Sequence, residues 1–493
     1  FAMLVSPNCT NEDLYVAQKF TRVVMGSHHV DTTARNFYGA GFNAYLNLMR
    51  RAAPLADVQK ASVVLHIGLD TRFGRSVVGV ELRRAISRGA KVIALNPRDH
   101  NLSLLADKWL QPQAGGELDM LRSLAALTKR KKPVTGTVDD EIAVVAGMLM
   151  EATEPVLLVG SELLQYEQAT SMLETIEKIA DNIGAGILPL PAQNNLFGSI
   201  LMGAYPELLP GAVSSSSQKR AAEVKKTWGV APPKVAPIWN SSKSDKELKV
   251  LYMIGEVPPD GGQSTAEYLI SQNIYPPDLL FEANLVLPAA AFTESDGSFI
   301  NGEGRIQRVR AAVPPPGQAL PDWKILCMIA RKMGFSGFEY TSAAQIHKEI
   351  AGLVDGFASF NKPKRQPMPL GGDAELNLPA ASRSGAHATD RKYPLLMTMT
   401  VTEHTHRGFP LSIWVEGTRP LFAEETVDIN PDDAAKAGLT AGDEATVTSA
   451  DFERTWPIRI SKEQPPGTLH VALTRGELIG SNPYPVKIRR SHV

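Results

Sequence analysis

The chain has 493 residues, 43% hydrophobic and 21% charged. That is globular composition and too much length for one ordinary core, so two to four domains are expected. Lys and Arg total 51 against 52 Asp and Glu, which leaves no net field to draw in nucleic acid or an anionic membrane.

Taken in chain order, Thr10–Asp13 ("TNED") offers a capping pattern ahead of an amphipathic helix that Gly26 stops. Residues 61–70 ("ASVVLHIGLD") read as a buried strand, 76–89 as a helix with its glycine stop, and 91–97 ("KVIALNP") as the next strand. Strand, helix and strand at this spacing make a βαβ unit with a parallel sheet. The run "KRKK" at 129–132 reads as a solvated helix end. A further strand is expected at 155–161. It is followed by a helix whose stripe is Ala169, Met172, Leu173, Ile176, Ile179, Ala180 and Ile183. Residues 182–206 are uncharged and long enough to invite a membrane reading, but Pro189, Pro191, Gln193, Asn194 and Asn195 at their centre oppose a membrane helix. Residues 214–246 read as surface loops, 249–256 and 278–288 as strands, and 361–392 as a linker. After that linker, short strands divided by turn residues suggest a small β-barrel. Cys9 and Cys327 are the only cysteines, which excludes a disulfide framework and any Cys-ligated iron–sulfur cluster or zinc within this chain. No signal peptide opens the chain and it begins without Met, so residues upstream and a reducing compartment are expected.

In parallel α/β sheets ligands bind beyond the carboxyl ends of the strands. Three such ends carry polar residues: "GLDTRFG" (68–74), "NPRDH" (96–100) and "GEVPPDGG" (255–262). Gly68 would let a backbone approach a phosphate, Asp70 could accept from ribose or guanine donors, and Arg98 could pair a phosphate. Each feature alone is more often ordinary strand-to-helix turn chemistry. GxGxxG and GxxxxGK[ST] are both missing, which disfavours nicotinamide and P-loop readings. The histidines form no spaced ligand pair apart from "HTH" at 404–406, where packing is the simpler reading than metal. No GxSxG or Cys–His arrangement is evident for nucleophilic catalysis. The stretch Ser295–Val309, "SDGSFINGEGRIQRV", places glycines among acidic, amide and arginine side chains, and Gly302 is expected to occupy a left-handed turn there.

Together, five landmarks in order resemble the molybdopterin oxidoreductase family: residues 10–35, 74–98, 191–211 ("PAQNNLFGSILMGAYPELLPG"), 287–334 and 429–449. The resemblance implies two interleaved Rossmann-like parallel-sheet domains plus a C-terminal β-barrel of double-psi type. The implied boundaries are 1–30 with 190–345 for the first domain, 31–189 for the second, 346–390 for a linker and 391–493 for the barrel. It also implies a molybdopterin guanine dinucleotide site at Gly68, Asp70, Asn96, Arg98, Gly115, Glu117, Asn194, Asn195, Gly255, Glu256, Asn301, Arg305 and His404.

The departures fall on reactive groups. Active members such as formate dehydrogenases carry a Cys or selenocysteine on the metal, followed by His; in register those positions are Phe37 and Tyr38. A phenyl ring has no lone pair for a soft metal, and a phenol is no imidazole. The Arg that precedes the Asn-Asn run in formate dehydrogenases falls at about Pro191. The family's Gly-x-Asn-Pro, Asp-Pro-Arg and Gly-Glu-Asn-Pro turns are here "GLDT", "NPR" and "GEVP". With no catalytic and no metal residue identified, the pattern is most similar to the molybdopterin-family subunit of NADH:quinone oxidoreductase (respiratory complex I), where such a domain persists structurally. The expectation is therefore a degenerate pterin site in a structural, electron-transfer-associated subunit. Iron–sulfur clusters would lie in a missing N-terminal region and in partner subunits. Those partners would include the NADH-binding subunit of a cytoplasmic complex peripheral to the inner membrane, with no nucleic acid and no membrane insertion. The alternative is the catalytic subunit of a molybdenum or tungsten bis-pterin oxidoreductase such as formate dehydrogenase, its metal held by an oxygen ligand such as Asp31 or Tyr38.

Overall fold

The computed structural model describes residues 1–71, 74–130, 141–233, 248–257, 266–278, 280–357, 375–378, 389–401, 405–410, 417, 425–473 and 482–491. The chain divides into two compact units. The first is Phe1–Asn36, Gln193–Pro379 and His406–Phe409; the second is Phe37–Ala192, Ala380–Thr405 and Pro410–Val493. Each is built on a five-stranded parallel sheet. The ten strands, in chain order, are β1 (Ala2–Val5), β2 (Val30–Asp31), β3 (Val63–Ile67), β4 (Lys91–Leu95), β5 (Lys108–Leu110), β6 (Val156–Gly160), β7 (Gly186–Leu190), β8 (Val250–Ile254), β9 (Tyr268–Asn273) and β10 (Leu285–Pro288).

In the first unit the sheet order is β10-β9-β8-β1-β2. The helix α1, Asn11–Val23, leaves β1 through a capping box in which the Thr10 hydroxyl accepts from Asp13 N and the Asp13 carboxylate accepts from Thr10 N. Every residue of α1 is buried, so its charged side chains need partners. Lys19 Nζ donates to Glu349 at 2.8 Å, and Arg22 donates to the carbonyls of Gly203, Tyr205 and Leu208. Glu12 accepts from Ser298 N at 2.7 Å. The strand expected over 278–288 is shorter than that: after Pro276 and Pro277 the amides of Leu280 and Phe281 both return to the Pro277 carbonyl, and the strand begins only at Leu285. The helix Ala343–Leu353, with Ile346 and Ile350 buried, takes up the start of the segment expected as linker from 346.

The second unit's sheet runs β5-β4-β3-β6-β7. Its β3, helix Ser76–Ser87 and β4 form the βαβ unit read from the sequence, and β6 leads to the helix Ala169–Ile183. That helix buries Ala169, Met172, Leu173, Ile176, Ile179 and Ala180, and ends at Gly184 with φ +65°. β7 passes through Pro189, inside the uncharged stretch; among the described residues no helix is long and apolar enough to cross a membrane. The same unit holds a closed six-stranded barrel, in the order Leu395–Val401, Thr468–Leu473, Val427–Ile429, Glu453–Ile460, Glu444–Thr448, Tyr484–Arg490. Its core includes Met397, Ile429, Val447, Trp456 and Val471. Mixed α/β architecture with parallel sheets and a closed barrel is thus the fold that the sequence implied.

The glycine-rich stretch of the first unit is an antiparallel hairpin, Gly297–Ile300 against Ile306–Val309. Gly304 N returns to the Asn301 carbonyl at 2.8 Å, and it is Gly304, at φ +80°, that takes the left-handed position. Gly302, expected there, has no such φ, because in a turn followed by a bulge the strain falls on the last residue of the turn. Gly304→Val is therefore expected to lower stability by about 1 kcal/mol or more. Gly302→Val at the neighbouring position should cost clearly less, as denaturant melts of the two variants will show.

Candidate functional site

The residues proposed from the sequence fall into both units. In the second, the carboxyl ends of β3 and β4 bring Asp70 and Arg98 to 3.5 Å, with Asp70 buried. Asn96 is buried beside them; its carbonyl accepts from Trp109 Nε1 at 2.9 Å, while its side-chain Nδ2 has no partner among the described residues. Glu117 opens the helix Glu117–Thr128. Burial raises its pKa, the nearby Tyr166 hydroxyl works the other way, and neither carboxylate oxygen has a hydrogen-bond partner among the described residues. Gly115 sits at φ +88°, where an added Cβ would lie 2.9 Å from Pro483 Cγ of the barrel. Gly68, at φ +55°, faces inward: its missing Cβ would meet Leu163 Cγ at 2.7 Å, so its freedom serves packing against Leu163. Nearby, Gly160 is fixed by close approach, since a Cβ there would fall 1.7 Å from the Gly68 carbonyl oxygen.

Sequence reasoning passed over three groups in this unit. Tyr166 sits against Glu117, and the His66 and His100 rings meet edge to face at 5.4 Å. His66 lies within β3, fully buried, with neither ring nitrogen hydrogen-bonded among the described residues. Burial, reinforced by His100, pushes its pKa down to about 3. The signal was one histidine in an otherwise apolar strand, which is weak.

In the first unit, Asn195 is buried and both N–H groups of its amide are used: Nδ2 donates to the Cys9 carbonyl at 2.8 Å and to Asn11 Oδ1 at 3.1 Å. Its Oδ1 accepts from Ile300 N, so the residue ties three segments together and has no donor left for a ligand. Asn194 is exposed, and its backbone N donates to Asn8. Arg305 pairs with Glu303 at 2.7 Å, and Asn301 Oδ1 accepts from Arg305 N at 2.9 Å, so both serve the hairpin turn. Gly255 has φ +62°, and the adjacent Glu256 accepts from the Thr33 hydroxyl at 2.7 Å. Burial pushes Glu256 up to about 8 against that bond. His404 lies outside the described residues. Its neighbour His406 packs edge-on to Phe292 at 6.0 Å. The residue that sequence reasoning missed is the next one, Arg407, which is buried and bonds Asp322. Among the described residues no group of three or more His, Cys, Asp or Glu is placed to hold a metal.

Phe37 and Tyr38, the positions where the sequence reading looked for a metal ligand, lie in an aromatic stack of the second unit. The Phe37 ring meets Tyr38 edge-on at 5.0 Å, and Tyr38 stacks on Phe42 at 4.8 Å and Tyr45 at 5.4 Å. Tyr38 is fully buried, and its hydroxyl accepts from Ala192 N at 3.0 Å. In the first unit Asp31, the other oxygen considered for a metal, is held by both Nε and Nη2 of Arg35.

A profile of the molybdopterin oxidoreductase family matches residues 1–332, and one of the molybdopterin dinucleotide binding domain matches residues 395–483. The chain belongs to the molybdopterin oxidoreductase family. It is 27% identical to the F420-dependent formate dehydrogenase subunit alpha of Methanocaldococcus jannaschii, over 93% of this chain and 79% of that one. It is 25% identical to the probable oxidoreductase YjgC of Bacillus subtilis, over 91% and 53%. Acetylene hydratase from Pelobacter acetylenicus shares the fold at a TM-score of 0.67, with 14% identity over 99% of this chain and 86% of that structure. The similarity found runs to formate dehydrogenase alpha subunits and YjgC and is not specific to the complex I subunit that the departures at reactive positions suggest.

Membership in the molybdopterin oxidoreductase family implies a pterin dinucleotide and its metal, and the residues fit the two parts unequally. The unpartnered amide of Asn96, the Asp70–Arg98 pair and buried Glu117 suit the polar dinucleotide. The metal end does not fit. Phe37 offers no lone pair, and the Tyr38 hydroxyl is bonded to the backbone within the stack.

Two buried groups give stability opposite pH dependence. His66, ordinarily near 6.5, refuses the proton that the unfolded chain takes up, so its contribution is whole above that pH and is lost as pH falls towards about 3. Glu256 keeps a proton that the unfolded chain gives up, so its contribution is whole below about 4.5 and is lost as pH rises through about 8. His66→Leu should thus flatten the acid limb of stability and Glu256→Gln the alkaline limb. Each change should be on the order of a few kcal/mol at the far end. Urea melts across the pH range check both. An unchanged acid limb in the first variant, or an unchanged alkaline limb in the second, would refute the corresponding assignment.

Proposed function

We propose that the chain is the alpha-type, pterin-dinucleotide-binding part of a formate-dehydrogenase-like oxidoreductase complex, and that its own side chains give the metal no ligand. The observation that carries this reading is the Phe37–Tyr38 stack, set in a chain similar along most of its length to formate dehydrogenase alpha subunits. When bound, the pterin-held metal supplies the redox chemistry. This chain's contribution would be to seat the dinucleotide through Asn96, Asp70, Arg98 and Glu117, with the packed aromatic rings at 37 and 38 offering the metal no ligand. Iron–sulfur clusters upstream of this chain and in partner subunits would carry the electrons of the complex.

A second reading follows from the loss of three reactive groups together, at Phe37, Tyr38 and Pro191. In it the site is retired, as in the molybdopterin-family subunit of complex I. The chain then works as a structural part of a cytoplasmic, membrane-peripheral complex that includes an NADH-binding subunit. The oxygen-ligand form of the catalytic alternative is weakened, because Asp31 is held by Arg35 and Tyr38 by Ala192 N.

Elemental mass spectrometry and oxidised-pterin fluorescence on the natively purified protein separate these readings. The protein should be expressed with its upstream region in a host able to make the cofactor. Pterin dinucleotide near one equivalent or more supports the first reading; iron alone, without pterin or molybdenum, supports the second. Phe37→Cys should not by itself confer formate-dependent reduction of a viologen dye, since the His and Arg partners are missing too. Dye reduction by that variant would overturn the view that three groups are needed.

A further inference from the structure

In the first unit the chain order of the sheet reverses between β1 and β8: β2 lies to one side, and β8, β9 and β10 to the other. In an open parallel sheet the crevice at such a reversal, outside the carboxyl ends, is where a ligand binds. Its walls here are the Ser6–Cys9 turn after β1 and Gly255–Glu256 after β8. The crevice contains a side chain from far along the sequence. Arg407 is 4% exposed, donates through Nη2 to Asp322, and approaches Cys9 Sγ at 3.5 Å. Its own carbonyl accepts from Asn273 Nδ2 at 3.1 Å, at the end of β9.

Three details show a seated group and not a passing contact. Gly255 makes the room: an added Cβ there would stand 3.3 Å from both Cγ and Nε of Arg407. The next residue, Gly408, docks equally closely, since its Cβ would fall 2.9 Å from Val257 Cγ1. Arg407 also holds φ at +52°, a region that a non-glycine residue keeps only when its surroundings over-determine it. Yet the fit is incomplete, because Nη1 is buried with no hydrogen-bond partner among the described residues. Around the guanidinium stand more acids than it can neutralise: Asp322 in contact, with Asp13 also acting on it through space. Burial, aided by Asp322, pushes Asp13 up to about 7.

We infer that Arg407 is a built-in occupant of this crevice, a guanidinium on the chain that holds the ligand position of the first unit closed until a ligand displaces it from Asp322. The ligand class follows from what Asp322 accepts. Asp322 Oδ1 accepts from Gln272 Nε2 at 2.7 Å, so the oxygen that Arg407 Nη2 occupies is the one a ligand would take. A guanidinium N–H there can give way to an N–H donor of a 2-amino-4-oxopyrimidine edge, which guanine and pterin rings share. That ligand class rests on the pterin-dinucleotide reading above; the occupancy by Arg407 does not.

The test uses the full chain and Arg407→Gly, a residue that accepts the φ and vacates the crevice. The variant should melt lower than wild type. Millimolar ethylguanidinium should restore at least half of the lost Tm, ethylammonium should not, and wild type should respond to neither. GMP and neopterin, titrated separately with AMP as control, should show which ring is taken. At least one should bind the variant about tenfold more tightly than wild type. Should Arg407→Gly fail to fold, Arg407→Lys keeps the charge without the fork and should give the same ordering of affinities. No rescue by ethylguanidinium, or wild-type affinities for both rings in the variants, overturns the inference. Rescue in preparations free of pterin dinucleotide upholds the occupancy while removing the cofactor reading. Stoichiometric pterin dinucleotide in wild type with no rescue of the variant does the reverse.

Discussion

A helix that is buried on every side and still carries Glu12, Asp13, Lys19 and Arg22 sets the terms on which the first unit folds. Ionised groups taken out of water are tolerated only when paired and hydrogen-bonded, and leaving one unpaired costs about 3–5 kcal/mol. None of these four finds all its partners within α1. Arg22 reaches carbonyls at 203–208, Glu12 reaches Ser298 and His347, and Lys19 reaches Gly337, Tyr340 and Glu349. Asp13 caps its own helix on one oxygen and accepts from Trp323 N on the other. The requirement to neutralise one helix thus ties α1 to segments far along the sequence within the same discontinuous unit.

The same constraint governs the carboxyl ends of the two sheets, with different outcomes. In the second unit the crevice between β3 and β6 is closed beneath by Leu163 packing where a Gly68 side chain would stand, and polar groups gather at its rim: Asp70 with Arg98, Glu117 with Tyr166, and Asn96 with an Nδ2 that has no partner among the described residues. A rim with an unsatisfied buried amide is the signature of a place that water or a polar ligand completes. In the first unit the corresponding place is completed by the chain itself, through Arg407 and Asp322. One sheet end therefore leaves a buried donor without a partner among the described residues, and the other fills its place with a side chain of the same unit.

How much of this was legible depended on whether a physical signal is periodic. Strand β3, the helix Ser76–Ser87 and β4 were read correctly because burial imposes period on apolar residues, and the stripe from Ala169 to Ala180 for the same reason. Strand β9 escaped because its buried end is Ser271, Gln272 and Asn273, polar residues that break the apolar run, and the last two bond to Asp322 and Arg407 far along the sequence. Residues 278–284 are apolar enough to pass for strand, yet a turn anchored on the Pro277 carbonyl decides otherwise. At the site, the glycines and carboxylates at strand ends could be named because topology says where ligands sit. Arg407 could not, since one arginine in a left-handed conformation leaves no pattern in sequence. Asn195 illustrates the reverse error. It was read as a ligand contact, and its hydrogen bonds show that it holds the scaffold.

The aromatic pair at 37 and 38 shows how a buried stretch of the second unit satisfies packing and hydrogen bonding at once. A poorly filled core leaves a cavity and an unmet backbone group, each destabilising. Neither is left here. The rings of Phe37, Tyr38, Phe42 and Tyr45 fill space by mutual stacking, and the Phe37 carbonyl is taken by Gln165 Nε2 at 2.9 Å. The choice of tyrosine over phenylalanine at 38 has its own reason: the hydroxyl is the acceptor for Ala192 N, which a second phenylalanine would leave without that bond. Tyr38 meets that backbone requirement from the middle of a packed stack, so the aromatic rings are part of the core of the second unit.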